Sequence, residues 1–151
     1  MDLALTDFDL AFWTTIAAIS FLLVLSAFFS GSETALTAAS RGKLHAQADK
    51  GNRGAKCALQ ITEDNERLIG SVLLGNNLVN ILATSLATAL FTSLFGESGV
   101  ALATLVMTLL VLIFAEVLPK TYAITNAEVA AARTAPVIAV AITLFAPIVA
   151  A

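Results

Sequence analysis

Three long runs without a charged residue limit what this chain can fold into. They are Leu10–Ser32 with 23 residues, Leu68–Gly96 with 29 and Ser98–Ala115 with 18. A helix that rises 1.5 Å per residue needs about 20 mainly apolar residues to cross a bilayer. Of the 151 residues, 58% are hydrophobic and 13% charged, whereas a soluble domain carries about 25% charged residues. The sequence therefore predicts an all-α integral membrane protein.

The positions of the basic residues predict how the helices are oriented. Of eight Lys and Arg residues, six lie between the first and second runs and two follow the third: Arg41, Lys43, Lys50, Arg53, Lys56, Arg67, Lys120 and Arg133. Basic loops remain in the cytosol. We therefore expect transmembrane helices at approximately 10–32, 68–95 and 98–118, short basic cytosolic helices at 40–67, and an N-terminus outside the cell.

A fourth apolar stretch, Thr134–Ala151, is interrupted by Pro136 and Pro147, and proline kinks or ends a helix. It is either a truncated fourth transmembrane helix or an interfacial or re-entrant helix on the cytosolic face, and we favour the second. The chain also stops in apolar sequence. We therefore expect an excised membrane domain, residues 1–151, whose parent protein continues into the cytosol.

Composition and motifs exclude several function classes. The net charge of −3 provides no basic footprint for nucleic acid, and a single cysteine, Cys57, excludes an internal disulfide and a cysteine-based zinc cluster. The acidic N-terminus, which includes Asp2, Asp7 and Asp9, is unlike the basic start of a cleavable signal peptide. No nucleophile–base pair or phosphate-binding loop occurs in the sequence, so we expect a multi-pass protein of the cell (inner or plasma) membrane that is not an enzyme.

Polar residues at membrane depth are concentrated in three places. In the first run, Ser26 and Ser30 share a helix face, and Glu33 directly follows the run. Gly31 permits a local helix break that would free backbone carbonyls. Asn76, Asn77 and Asn80 lie in the second run, and the third ends in Glu116, Pro119 and Lys120. Three asparagines in five residues favour a polar site over packing, since each buried amide needs a partner. Glu116 is a candidate functional carboxylate, and the alternative is an i,i+4 ion pair with Lys120.

The chemistry of these groups indicates which ions they could bind. Hydroxyl, amide, carboxylate and carbonyl oxygens are hard ligands, and no thiolate or imidazole is near them in the sequence. This argues against zinc, copper or iron and favours magnesium, calcium, manganese or sodium. One carboxylate among several neutral oxygens favours a weak, exchangeable site.

Three segments resemble the signatures of the CNNM/CorC family of magnesium transporters: Phe29–Ala35, Gly75–Asn80 and Glu116–Thr121. The resemblance covers nearly the whole chain. It implies a homodimer in the lipid bilayer, with three transmembrane helices per protomer and a juxtamembrane helical belt at 120–151. It also implies Mg²⁺ efflux through an inward-facing cavity, with Na⁺ entry as the coupling. The family's cytosolic CBS and C-terminal domains are absent from this chain.

The resemblance also implies roles for individual residues. The Mg²⁺ ligands would be Ser30, Asn76, Asn80 and Glu116, together with backbone carbonyls around Gly31. Supporting positions would be Ser26, Glu33, Asn77, Pro119 and Lys120. Two functions use the same ligands: a secondary transporter, and a non-transporting membrane sensor or scaffold that binds the ion and regulates other transporters.

Overall fold

The computed structural model describes the backbone of residues 2–149 and the side chains of residues 10–145, 147 and 148. The described residues form helices and no strand, which confirms an all-α protein. The elements are α1 (Asp2–Ala38), α2 (Arg41–Asp49), α3 (Arg53–Thr62), α4 (Asn65–Phe95), α5 (Ser98–Leu110), a π-helical segment (Val111–Val117), α6 (Leu118–Thr125) and α7 (Ala127–Val149).

Four helical stretches are long and apolar enough to cross a membrane: Leu10–Ala38, Asn65–Phe95, Ser98–Thr125 and Ala127–Phe145. The first three contain the predicted transmembrane helices. The third is longer than expected because α5, the π segment and α6 form one continuous helical stretch. The fourth meets the same criteria of length and hydropathy. Its interfacial or re-entrant placement therefore stays a prediction.

A tight hairpin joins α4 to α5. Gly96 has φ +71°, in the left-handed region that glycine adopts without a steric penalty. A Cβ added at Gly99 would lie 2.3 Å from the carbonyl oxygen of Phe91, so only glycine allows the two helices to approach this closely. The hairpin holds α5 against α4, and the two helices share the outer apolar cluster around Ala83, Ala87 and Met107 with Ile19 of α1.

The short basic helices pack onto α7 at the opposite end of the molecule. Ser40 and Asn52 cap α2 and α3 by accepting hydrogen bonds from the backbone N–H groups of Lys43 and Ala55. The apolar faces of these helices bury Leu44, Ala55 and Leu59 against the alanine-rich start of α7. This end of the molecule is therefore a packed helical layer.

The prolines of α7 do not interrupt it, contrary to the sequence-based expectation, since the helix is continuous through Pro136 and Pro147. Pro136 has no N–H to donate to the carbonyl of Ala132, four residues earlier. That carbonyl points at Gly54 of α3, where an added Cβ would lie 2.0 Å from the oxygen. Helix α3 therefore packs against the carbonyl that Pro136 leaves without its intrahelical hydrogen bond, and α7 stays helical.

Helix α7 packs against both α1 and α4. Near its start, Glu128 accepts a hydrogen bond from the backbone N–H of Ser40, and further along, the ring of Phe145 packs beside Gly75 together with Phe29. Phe145 therefore lies beside α4 at Gly75, directly before the asparagine cluster that begins at Asn76.

Candidate metal site

The first and second polar segments meet through one hydroxyl. Ser26 of α1 is fully buried, and its Oγ lies 2.9 Å from Oδ1 of Asn76 and 2.5 Å from Oδ1 of Asn80. The two asparagines are one helical turn apart on α4, so both side chains project toward α1. The family resemblance implies only a supporting role for Ser26, but the structure puts it at the centre of this cluster.

Three oxygen atoms converge in this cluster, but the hydroxyl has a single proton to share. A serine hydroxyl donates one hydrogen bond, and each amide oxygen can only accept. Ser26 can therefore donate to Asn76 or to Asn80 at any moment, and the other oxygen lacks that donor. Lone pairs of these oxygens that do not accept from the hydroxyl could coordinate a hard cation, for which oxygen ligands are preferred.

Glu116 lies in the π-helical segment Val111–Val117, where the N–H of Leu118 bonds the carbonyl of Ile113 five residues earlier. The next residue, Pro119, has no N–H, so the donor that would reach the carbonyl of Phe114 or Ala115 is missing. Single π turns within α-helices occur frequently at functional sites. Here the widened turn carries the only carboxylate within the third transmembrane stretch.

One cavity brings the third polar segment to the second. A space of about 360 Å³ between α4, α5 and the π segment is lined by both Asn80 and Glu116. Asn80 also accepts from Ser26, so it links the carboxylate cavity to the oxygen cluster on α1. The three polar segments, widely separated in the sequence, therefore converge on Asn80.

Glu116 is not neutralised by a basic side chain. Among the described residues, only Lys43 and Glu128 form an ion pair, with 4.0 Å between Nζ and Oε1. Lys120 is exposed and is not paired with Glu116, which removes the i,i+4 ion pair as the alternative explanation for this carboxylate. Glu116 is only partly buried and faces the cavity, so its charge remains available to an ion.

The expected helix break at Gly31 is wrong. Helix α1 is continuous from Asp2 to Ala38, and Gly31 does not have a positive φ. The glycine instead allows α6 to approach, since an added Cβ would lie 3.3 Å from Cβ of Pro119 and 3.4 Å from its carbonyl oxygen. Gly31 and Pro119 thus bring α1 and α6 together, and the irregular backbone lies in the third transmembrane stretch.

The remaining predicted residues lie around the cluster without joining its hydrogen bonds. Ser30 is buried at 2% exposure, and its carbonyl accepts a 3.1 Å bond from the Thr34 hydroxyl. Glu33 is partly buried. Asn77 is exposed on α4, turned away from Ser26.

Sequence reasoning missed several hydroxyls. Thr84, Thr104 and Thr108 line the same cavity as Asn80 and Glu116. The i,i+4 spacing of Asn80, Thr84 and Thr88 was a signal that could have identified the polar face of α4. The hydroxyls of Ser32 and Ser71 are buried without a hydrogen-bond partner among the described residues.

The donor set fits a hard cation. The described residues contain no group of three or more His, Cys, Asp or Glu side chains close enough to hold a metal ion. The oxygens that do converge come from a hydroxyl, two amides and one carboxylate, and such ligands suit magnesium, calcium, manganese or sodium.

Comparisons with known proteins identify the family of this chain. The family described as the cyclin M transmembrane N-terminal domain (CNNM) matches residues 17–151. The UPF0053 inner membrane protein YfjD of Escherichia coli K12 is 50% identical over 99 residues, which cover 66% of this chain and 23% of the relative. A UPF0053 protein of Haemophilus influenzae is 38% identical over 127 residues, covering 84% of this chain and 30% of the relative.

A DUF21 domain-containing chloroplast protein of Arabidopsis thaliana is 38% identical over 107 residues, which cover 71% of this chain and 16% of the relative. The chain thus spans less than a third of the length of each of these relatives. The family match covers all three polar segments. The chain belongs to the cyclin M transmembrane-domain family.

Proposed function

We propose that this chain is the ion-translocating membrane domain of a magnesium transporter, with Ser26, Ser30, Asn76, Asn80 and Glu116 as the binding site. The observation that carries the proposal is that Asn80, which belongs to the Ser26–Asn76–Asn80 oxygen cluster, lines the same cavity as Glu116. Mg²⁺ is the transported substrate, its movement is outward, and Na⁺ entry is the coupling reaction. The working unit is a homodimer in the bilayer.

Site chemistry supports an exchangeable ion. One carboxylate supplies the charge, and neutral oxygens supply the remaining positions. Mg²⁺ requires a near-octahedral shell at about 2.0–2.1 Å and loses its waters reluctantly. Buried oxygens on packed helices, such as the fully buried Ser26, can replace those waters at fixed positions and so favour Mg²⁺ over larger ions.

The irregular helix supports movement through the site. Backbone without a full set of helical hydrogen bonds is tolerated at membrane depth where it lines a cavity. The π segment fulfils this condition at Glu116, which is both irregular in backbone and exposed to the cavity. A change in this segment would move the carboxylate relative to Asn80.

Flux through liposomes tests the proposal. The purified chain is reconstituted with a Mg²⁺-sensitive dye inside the vesicles, beside Glu116→Gln. The expected result is Mg²⁺ movement by the parent that responds to an imposed Na⁺ gradient and is absent in the variant. Magnesium binding without flux would contradict transport and favour the sensor or scaffold function. Flux that ignores the Na⁺ gradient would contradict the coupling alone.

A further inference from the structure

The cavity at Glu116 continues away from the metal site, along a groove between α4 and α5. On the α5 side its lining runs from Glu116 back to Thr104, a distance of about 18 Å along the helix. A second, more open space of about 610 Å³ shares Asn80 and Thr84 with it and continues along α4 to Thr88. Both therefore lead toward the Gly96–Gly99 hairpin, opposite the basic helices α2 and α3.

The groove's threonines all use their proton on their own helix. Each hydroxyl donates to the carbonyl four residues earlier, at 2.8 Å for Thr84, Thr88 and Thr104 and at 2.6 Å for Thr108. A threonine oxygen whose proton is committed in this way can only accept further hydrogen bonds or coordinate a cation. The groove therefore presents lone pairs to its interior and no hydroxyl donor from these four residues.

Back-bonded threonines are common in transmembrane helices and need no function by themselves. Thr14, for example, donates to the carbonyl of Leu10 at 2.7 Å on the exposed surface of α1. The groove differs because threonines of two facing helices line one space with Asn80 and Glu116. An ion that leaves the site by this route would stay within reach of acceptor oxygens and their waters.

We propose that the groove is the part of the ion pathway between the metal site and the α4–α5 hairpin, with Thr84, Thr104 and Thr108 as transient binding positions. The inference rests on the proposed transport function and extends it to residues that do not bind the resting ion. Cations can pass such a route because each of these threonines offers an acceptor, whereas the same threonines offer no hydroxyl donor to an anion.

Thiol accessibility tests the groove independently of flux. Cys57 is the chain's only cysteine, and burial raises the pKa of its thiol. Both test variants carry Cys57→Ser, so that Cys57 cannot react with the reagent. Thr108→Cys is compared with Leu109→Cys, whose native side chain is 50% exposed but outside the groove. Because thiolates form only in water, a hydrophilic methanethiosulfonate should modify Thr108→Cys at least about tenfold faster. Equal rates would overturn the proposal.

Flux gives the second test. The double variant Thr104→Val/Thr108→Val keeps the shape of both side chains and removes both hydroxyls. We expect unchanged Mg²⁺ binding by titration and liposome flux lowered by at least about fivefold, as a raised barrier on the path requires. Thr14→Val is the matched control, since it loses the same back-bond outside the groove, and should transport at the parental rate.

The outcomes separate the two proposals. If the double variant transports at the parental rate while Glu116→Gln is inactive, the groove proposal is overturned and the transport proposal is retained. A parent that binds Mg²⁺ but carries no flux overturns both. Loss of Mg²⁺ binding by the double variant also overturns the groove proposal, because the threonines would then belong to the metal site.

Discussion

Asn80 has two contacts that make it the connecting residue of the site. Its side-chain oxygen accepts from Ser26, and it lines the cavity that contains Glu116. Asn77, three residues earlier in the same segment, is exposed and takes no part in this cluster. Two amides in the same short motif therefore have different surroundings, and this allows a matched experiment.

Asn80→Ala removes an oxygen from the centre of the cluster. We expect Mg²⁺ affinity to fall by about 10- to 100-fold, or ~1.4–2.8 kcal/mol, as measured by titration of the detergent-solubilised protein. Asn77→Ala is the matched control and should lose far less affinity. Equal losses from the two variants would contradict the placement of the site on the Asn76/Asn80 face.

Ser26 and Ser30 are both buried on α1, but only Ser26 donates to the asparagines. Ser26→Ala removes the hydroxyl whose single proton the two amide oxygens share, and it should lower the free energy of unfolding by about 1–3 kcal/mol. Ser30→Ala deletes the same hydroxyl group without breaking those bonds, so its loss should be smaller. Chemical denaturation in detergent measures both, and a larger loss from Ser30→Ala would contradict the hydrogen-bond assignment.

At the scale of elements, the third transmembrane stretch departs most from the sequence-based description. Its length and apolar character follow from the uncharged run. The π turn does not, because one proline can kink a helix, end it or widen a turn, and only packing selects among these. Here Pro119 lies against Gly31 of α1, a contact between residues far apart in the sequence.

Pro119→Ala tests whether the π turn positions Glu116. The substitution restores a backbone N–H and keeps the Cβ that meets Gly31, so it should favour a regular helix. Removing the extra residue of a π turn rotates one part of the helix against the other by about 100°, which would turn Glu116 from the cavity. We expect at least about tenfold weaker Mg²⁺ binding by titration, equivalent to ~1.4 kcal/mol. Unchanged affinity would show that the π turn does not matter to the site.

Gly54 is where α3 approaches the carbonyl of Ala132 on α7. Gly54→Ala places a Cβ 2.0 Å from that oxygen, so the helices must separate, and we expect a loss of about 1–3 kcal/mol in stability. Gly42→Ala is the control, because its Cβ would meet only Ser40 Oγ at 3.7 Å, and it should be neutral or stabilise α2 by up to about 1 kcal/mol. Thermal unfolding in detergent compares the two. Equal stability would contradict close packing of α3 on α7.

At the scale of the whole molecule, the uncharged runs allowed the helices to be predicted, and the clustering of polar residues allowed most of the site to be predicted. The role of Ser26 could not be deduced, because Ser26 and Ser30 share a helix face and only the register of α1 against α4 distinguishes them. Similarly, the sequence pattern predicts that the prolines interrupt α7, because Gly54, which packs against Ala132 of α7, lies some eighty residues away in the sequence.

The most direct test of the metal site is Mg²⁺ titration calorimetry on the purified chain and on Glu116→Gln. The variant keeps the size of the side chain and removes the only negative charge on the cavity. We expect saturable binding by the parent and loss of binding by a variant that remains folded. Binding of equal affinity by both would contradict this expectation, because the three polar segments would then converge without forming the metal site.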